Sequence, residues 1–168
     1  MASTKLPLGI RNRNPGNLRN PIDPSHTARH NEGFQVYETF EIGLTELFDL
    51  IHVYYAVHGI KTLHGFVSRY APATENDLQA YIAAVLPWLR LRPSAADTHD
   101  LRLDDPWRAV DMARAIIHVE CGNPPSGWRC GLEWFTPEML IVALNNTNCW
   151  DDEKNNYPIF DAGAGDAE

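Results

Sequence analysis

The stretch "AIIHVECGN" (Ala115–Asn123) decides how this chain is read. Just upstream, "DDPW" supplies a helix start, with Asp105 as N-cap and Pro106 in the first turn. Val110, Ala113, Ile117 and Glu120 then recur at helical spacing and share one face, flanked by Ile116. Gly122 is the stop. A carboxylate thus falls at the end of an apolar stripe. Burial there disfavours the charged form, and the negative end of the helix dipole acts in the same direction. A carboxyl group still protonated near neutral pH is what a general acid needs. A helix-end glutamate can also curl out to solvent or bond to a nearby loop, and spacing alone leaves both readings open.

The rest of the chain is predominantly helical by pattern. Thr39 is a predicted N-cap, and Phe40, Leu44, Leu47, Phe48, Ile51 and Tyr55 follow at helical spacing towards a stop at Gly59. That predicts an amphipathic helix of about 18 residues. A short helix is expected from about Thr62 to Tyr70. "TEND" (Thr74–Asp77) reads as a capping box opening a helix that carries Leu78, Tyr81, Ile82 and Val85 and stops near Pro87. Residues 91–104 are polar and irregular, which predicts a surface loop. A last helix is predicted from Thr136 and Pro137, with Glu138 in its first turn. Before Phe34 the chain reads as loop and turn, with "NPGN" (Asn14–Asn17) a turn signal and "FQVY" (Phe34–Tyr37) a short strand. The tail "DAGAGDAE" reads as disordered. The expectation is a mainly α (α+β) fold: one domain over residues 1–150, with an extension from about 126 and a tail from 151 to 168.

The 168 residues suit one domain with a real core. Apolar residues make up 44% and charged residues 21%, the balance of a globular rather than a disordered chain. A net charge of −8 argues against nucleic-acid or anionic-membrane partners, although Arg11, Arg13 and Arg19 cluster near the start. No apolar run approaches the roughly 20 residues of a membrane span. The opening "MASTKLPLGIRNRN" lacks the apolar core of a secretory signal, so synthesis in the cytoplasm and delivery by another route are expected. Cys121, Cys130 and Cys149 match no zinc spacing, and no metal or other cofactor is expected. One disulfide with a free thiol and reduced core thiols are both open. The seven histidines form no HExxH pattern, and no GxSxG or phosphate-cradling glycine loop occurs. Metalloprotease, serine-nucleophile and nucleotide chemistry are therefore not indicated.

Four segments, in order, resemble one family. "GIRNRNPGNLR" (Gly9–Arg19) resembles the opening of phage and prophage proteins with a lysozyme-like, lytic-transglycosylase domain. "FQVYETFEIGLTEL" (Phe34–Leu47), "RYAPATENDLQAYIAAV" (Arg69–Val85) and "RAIIHVECGNPP" (Arg114–Pro125) resemble its later segments. The resemblance implies a muramidase-like fold acting on peptidoglycan glycan strands at the bond between N-acetylmuramic acid and N-acetylglucosamine. It implies Glu120 as the acid, in the place of the glutamate of "ESG" in lysozyme-like enzymes. The "NPGNLR" segment precedes that glutamate instead of following it, which points to a circularly permuted domain. Asn14, Asn17 and Arg19 become candidates to bind N-acetyl and carboxylate groups, Glu75 and Asn76 to line the groove, and Tyr70 and Tyr81 to stack on sugar rings. The bland readings are turn chemistry for the asparagines, a helix start for Thr74–Asp77 and packing for Tyr81.

No compelling second carboxylate accompanies Glu120, which favours a transglycosylase over a hydrolase. Two departures from the family stand out. Cys121 replaces its usual Asn, and about 40 residues follow Pro125 by direct reading of the sequence. The competing expectations are a structural or adaptor protein of a phage particle and an exported antibacterial effector with an immunity partner. The expected place of action is the periplasm and cell wall, with virion association as one route.

Overall fold

The computed structural model describes residues 5–26, 29–74 and 76–147. Glu75, Cys149 and the tail, all subjects of sequence expectations, lie outside the described residues. The chain is mainly helical. Six α-helices are described: α1 (Leu8–Arg11), α2 (Phe40–His52), α3 (Leu63–Tyr70), α4 (Leu78–Leu89), α5 (Pro106–Cys121) and α6 (Pro137–Asn145). A two-stranded antiparallel hairpin joins β1 (Arg29–Asn31) to β2 (Phe34–Val36), with His30 opposite Gln35. Among the described residues no helix is long and apolar enough to cross a membrane.

The caps carry the helix starts. Thr39 Oγ1 accepts from Ile42 N, Asp105 accepts from Trp107 N and Arg108 N, and Thr136 Oγ1 accepts from Met139 N. The capping box at Thr74 is corrected. Asp77 itself is the N-cap, accepting from Ala80 N, so α4 starts at Leu78. That helix also runs through Pro87 to Leu89, where Arg90 closes it in the left-handed region. The stretch after α2 differs in kind as well. Instead of ending, the helix widens into one π-helical turn, Val53–Val57, closed by His58 N–H to Val53 O. Gly59 then breaks it at positive φ.

Helix α5 is the axis of the core and packs against α1, α2, α4 and α6. Its apolar stripe, Val110, Ala113, Ile116 and Ile117, is buried. The segment 91–104 is irregular but not merely a surface loop: Ala96, Leu101 and Leu103 are buried in the same cluster. Backbone bonds from Leu101 N–H to Lys61 O and from His64 N–H to Ala96 O pin it to the start of α3 and the residues just before it. The residues after Pro125 complete the core. Trp134, Phe135, Leu140, Ile141, Ala143 and Leu144 are buried, and α6 packs on α2 and α5. Trp134 Nε1 donates to Gly122 O at 2.8 Å, and Arg114 holds Glu133 through two nitrogens.

The segment 12–18 is unusual for a loop in being largely buried. A buried loop must satisfy its polar groups internally. Asn14, wholly inaccessible, does so: its Nδ2 donates to Leu18 O at 2.8 Å and Gln35 O at 3.0 Å, and its Oδ1 accepts from Leu18 N at 2.9 Å. Glu46 of α2, also inaccessible, secures the next few residues. It accepts from Ile22 N and Asp23 N, and lies 2.6 Å from His26 Nδ1.

Candidate active site

Glu120 sits in the last turn of α5, half-buried in the lining of a cleft of about 600 Å³. Both carboxylate oxygens are held. Asn17 Nδ2 donates to Oε2 at 2.8 Å, and Tyr81 OH donates to Oε1 at 3.0 Å. Loop 12–18, α4 and α5 thus meet at this one group. Burial pushes the Glu120 carboxyl above the ordinary carboxylate range, and the two donors partly counter it by stabilising the charged form. Burial also raises the Tyr81 hydroxyl, which therefore stays protonated and remains a donor.

The turn that presents Asn17 is clamped from two sides. Asn17 N–H closes it on Asn14 O at 2.9 Å, and Asn17 has φ +49°. Such left-handed backbone in a non-glycine residue is uncommon and persists when surroundings over-determine it. The surroundings here are specific. Tyr70 OH donates to Gly16 O from α3, and Cys121 Sγ donates to Pro15 O at 3.5 Å from α5. Cys121 is buried beneath the turn, and a Cβ on Gly9 would lie 2.9 Å from its sulfur. Burial drives its thiol up to about 12, so it is an inert packing group.

The sequence-predicted residues fall into distinct places. Glu120, Asn17, Arg19, Tyr70 and Asn76 all line the cleft. Asn14 does not; it is the internal strut of the loop, as turn chemistry predicts, and exposes nothing to a ligand. Tyr70 reaches the cleft, but its ring stacks on Phe66 and meets Tyr81 edge-on, and its hydroxyl is committed to Gly16. It braces the turn that carries Asn17. The Arg19 guanidinium lies 4.9 Å over the Phe34 ring at the cleft rim.

The sequence offers Tyr81 for sugar stacking or, more readily, helix packing, and neither reading contains its bond to Glu120. The signal was present: a buried tyrosine hydroxyl requires an acceptor, as a buried carboxylate requires donors. The cleft is also lined by Leu50, Val53, Tyr54, His58 and Arg69, none of which the sequence marks for a site. Among the described lining residues Glu120 is the sole carboxylate. No group of three or more His, Cys, Asp and Glu among the described residues is arranged to hold a metal ion. None of the described residues after Pro125 lines the cleft.

No family model matches the chain. Protein P5 of Pseudoalteromonas phage PM2 is 25% identical to it over 135 residues, spanning 75% of this chain and 80% of the phage protein. The chain is therefore similar to a phage protein along most of its length.

Proposed function

We propose that this protein is a lytic transglycosylase with a circularly permuted, lysozyme-like domain, cleaving the β-1,4 bond between N-acetylmuramic acid and N-acetylglucosamine in peptidoglycan. The observation that carries the proposal is Glu120, a half-buried carboxyl held on both oxygens in the lining of an open cleft. Its raised pKa keeps it protonated further towards neutral pH, and it donates that proton to the leaving glycosidic oxygen. The bond to C1 of the muramoyl residue breaks. The resulting carboxylate takes the proton of the same sugar's 6-hydroxyl, whose oxygen attacks C1 and closes a 1,6-anhydro ring. One carboxyl group thus serves as acid and then base. Glu120 is the sole carboxylate among the described lining residues, which supports a reaction that one carboxyl group completes over one that uses a carboxylate pair. Asn17 and Tyr81 fix the carboxyl and favour its charged form, the one that must act as base. Similarity to a phage protein supports delivery to the wall by a virion.

Digestion of purified peptidoglycan followed by mass spectrometry tests the reaction. Muropeptides with anhydro-muramoyl ends, lighter by one water than reducing ends, are expected. Reducing ends would make the enzyme a hydrolase, and no soluble fragments would overturn the enzymatic reading.

Tyr81→Phe probes the acid directly. Tyr81 donates to the carboxylate and so lowers the Glu120 pKa; removing it raises that pKa. The loss of activity with rising pH, where the acid deprotonates, is expected to move to higher pH in the variant. An unmoved alkaline limb would disconnect Tyr81 from the acid.

A further inference from the structure

Part of the cleft lining is built around Arg69. Its guanidinium carbon lies 5.2 Å over the Tyr54 ring, and Nη2 lies 3.3 Å from His58 Nε2. Tyr54 is backed in turn by Phe66, with ring centroids 5.3 Å apart. Tyr54 and His58 come from the π-helical turn and its end, Arg69 from the last turn of α3. A π turn within a helix frequently marks a functional site, because it costs hydrogen-bond geometry. Here it brings the two side chains that hold the arginine to the cleft wall.

Arg69 is exposed, and no described carboxylate pairs with it. In a chain of net charge −8, an arginine oriented by an aromatic face and a ring nitrogen, facing a cleft, is set up for an anion from outside. The setting also calls for one. An acidic protein repels an anionic polymer, and a local cation in the groove offsets that repulsion where the substrate lies.

We propose that the Tyr54–His58–Arg69 corner is a carboxylate subsite that receives the stem peptide carried by the muramoyl sugars of the strand. This rests on the glycan-strand reading above and adds to it a preference for peptide-bearing over bare strands. The planar fork of arginine matches a carboxylate through two parallel bonds, and the flat stacking on Tyr54 holds that fork in place before the ligand arrives.

The test measures binding, so that it stands apart from catalysis. In a Glu120→Gln background, calorimetry compares a soluble disaccharide-tetrapeptide with the same fragment after its peptide carboxylates are converted to amides. Adding Arg69→Gln is expected to weaken binding of the native fragment roughly tenfold, about one charge-assisted hydrogen bond, and to leave the amidated fragment unchanged. Equal weakening of both fragments, or none of either, overturns the subsite. Tighter binding of inorganic phosphate than of the native fragment, lost with Arg69→Gln, overturns it in favour of a phosphate site. If wild type cleaves no peptidoglycan, the enzymatic reading falls while these affinities still decide the subsite.

Discussion

Glu120→Gln is expected to cut glycan-strand cleavage by roughly 10²–10⁴-fold, the usual contribution of a positioned acid–base group. The amide cannot donate a proton to the leaving oxygen or take one from the 6-hydroxyl. It nevertheless fits the site. Its oxygen can accept from Asn17, and its NH₂ can donate to the Tyr81 hydroxyl, which turns round to receive it. Lost activity is therefore not expected to come from lost folding, and stability should in fact move the other way. Burial raises the folded-state pKa of Glu120 above the ordinary value of 4.5. The stability of the wild type is then undiminished below about pH 4.5 and declines as pH rises through the folded pKa, because the unfolded chain ionises first. Gln carries no such penalty. Thermal melts should show the variant more stable than wild type at pH 7, with the difference closing towards pH 4.5. A variant that is both inactive and less stable at neutral pH would assign Glu120 to the framework. Stability sacrificed for a poised group is a common feature of active sites.

Gly43→Ala is expected to be the most damaging small substitution in the framework. A Cβ on Gly43 would overlap the Arg13 carbonyl oxygen and come 3.0 Å from its carbonyl carbon and 3.1 Å from Tyr37 Cδ2. The obstacle is backbone, so no rotamer change relieves it. Either α2 or the 12–18 loop must shift, and neither is free. The Arg13 side chain donates through Nε to Tyr37 O at 2.7 Å, and Asn14 ties the same loop to Leu18 and Gln35. Overpacking of this kind costs about 3 kcal/mol, or a fall of about 6–12 °C in Tm for a domain of this size. Asn17 rides on that loop, so residual activity should fall further than the unfolded fraction explains. A melt within a degree of wild type would show that α2 and the loop are not in register-setting contact.

Much of this was legible in the sequence, because the relevant physics is local. Helical periodicity placed Val110, Ala113, Ile117 and Glu120 on one face, and all lie as that spacing requires. The caps at Thr39, Asp105 and Thr136 were readable for the same reason: a side chain that bonds two or three residues along the chain needs no partner elsewhere. At "TEND" both Thr74 and Asp77 are residues of cap type, and spacing alone does not show that Asp77 is the one that accepts from Ala80 N. Residues 91–104 look polar in sequence, yet Leu101 and Leu103 are buried, since a few apolar residues in an irregular segment have no period to reveal them.

The sequence by itself determined a mainly helical domain, a carboxylate at the end of α5 and a tight turn at Asn14–Asn17. The tertiary structure decided which of two similar asparagines does what. Asn14 is sealed inside and braces the loop, while Asn17, three residues on, turns out to meet Glu120. It decided that Tyr81 is a donor to the acid, that Cys121 lies under the turn instead of in the cleft, and that the described residues after Pro125 pack into the core and not along the cleft. Each of these rests on contacts between segments far apart in the chain, Asn17 to Glu120 spanning 103 residues. No local pattern encodes such a pairing. It is fixed when α5 is buried between its neighbours, and a half-buried carboxylate must then find its donors among whatever that packing brings within reach.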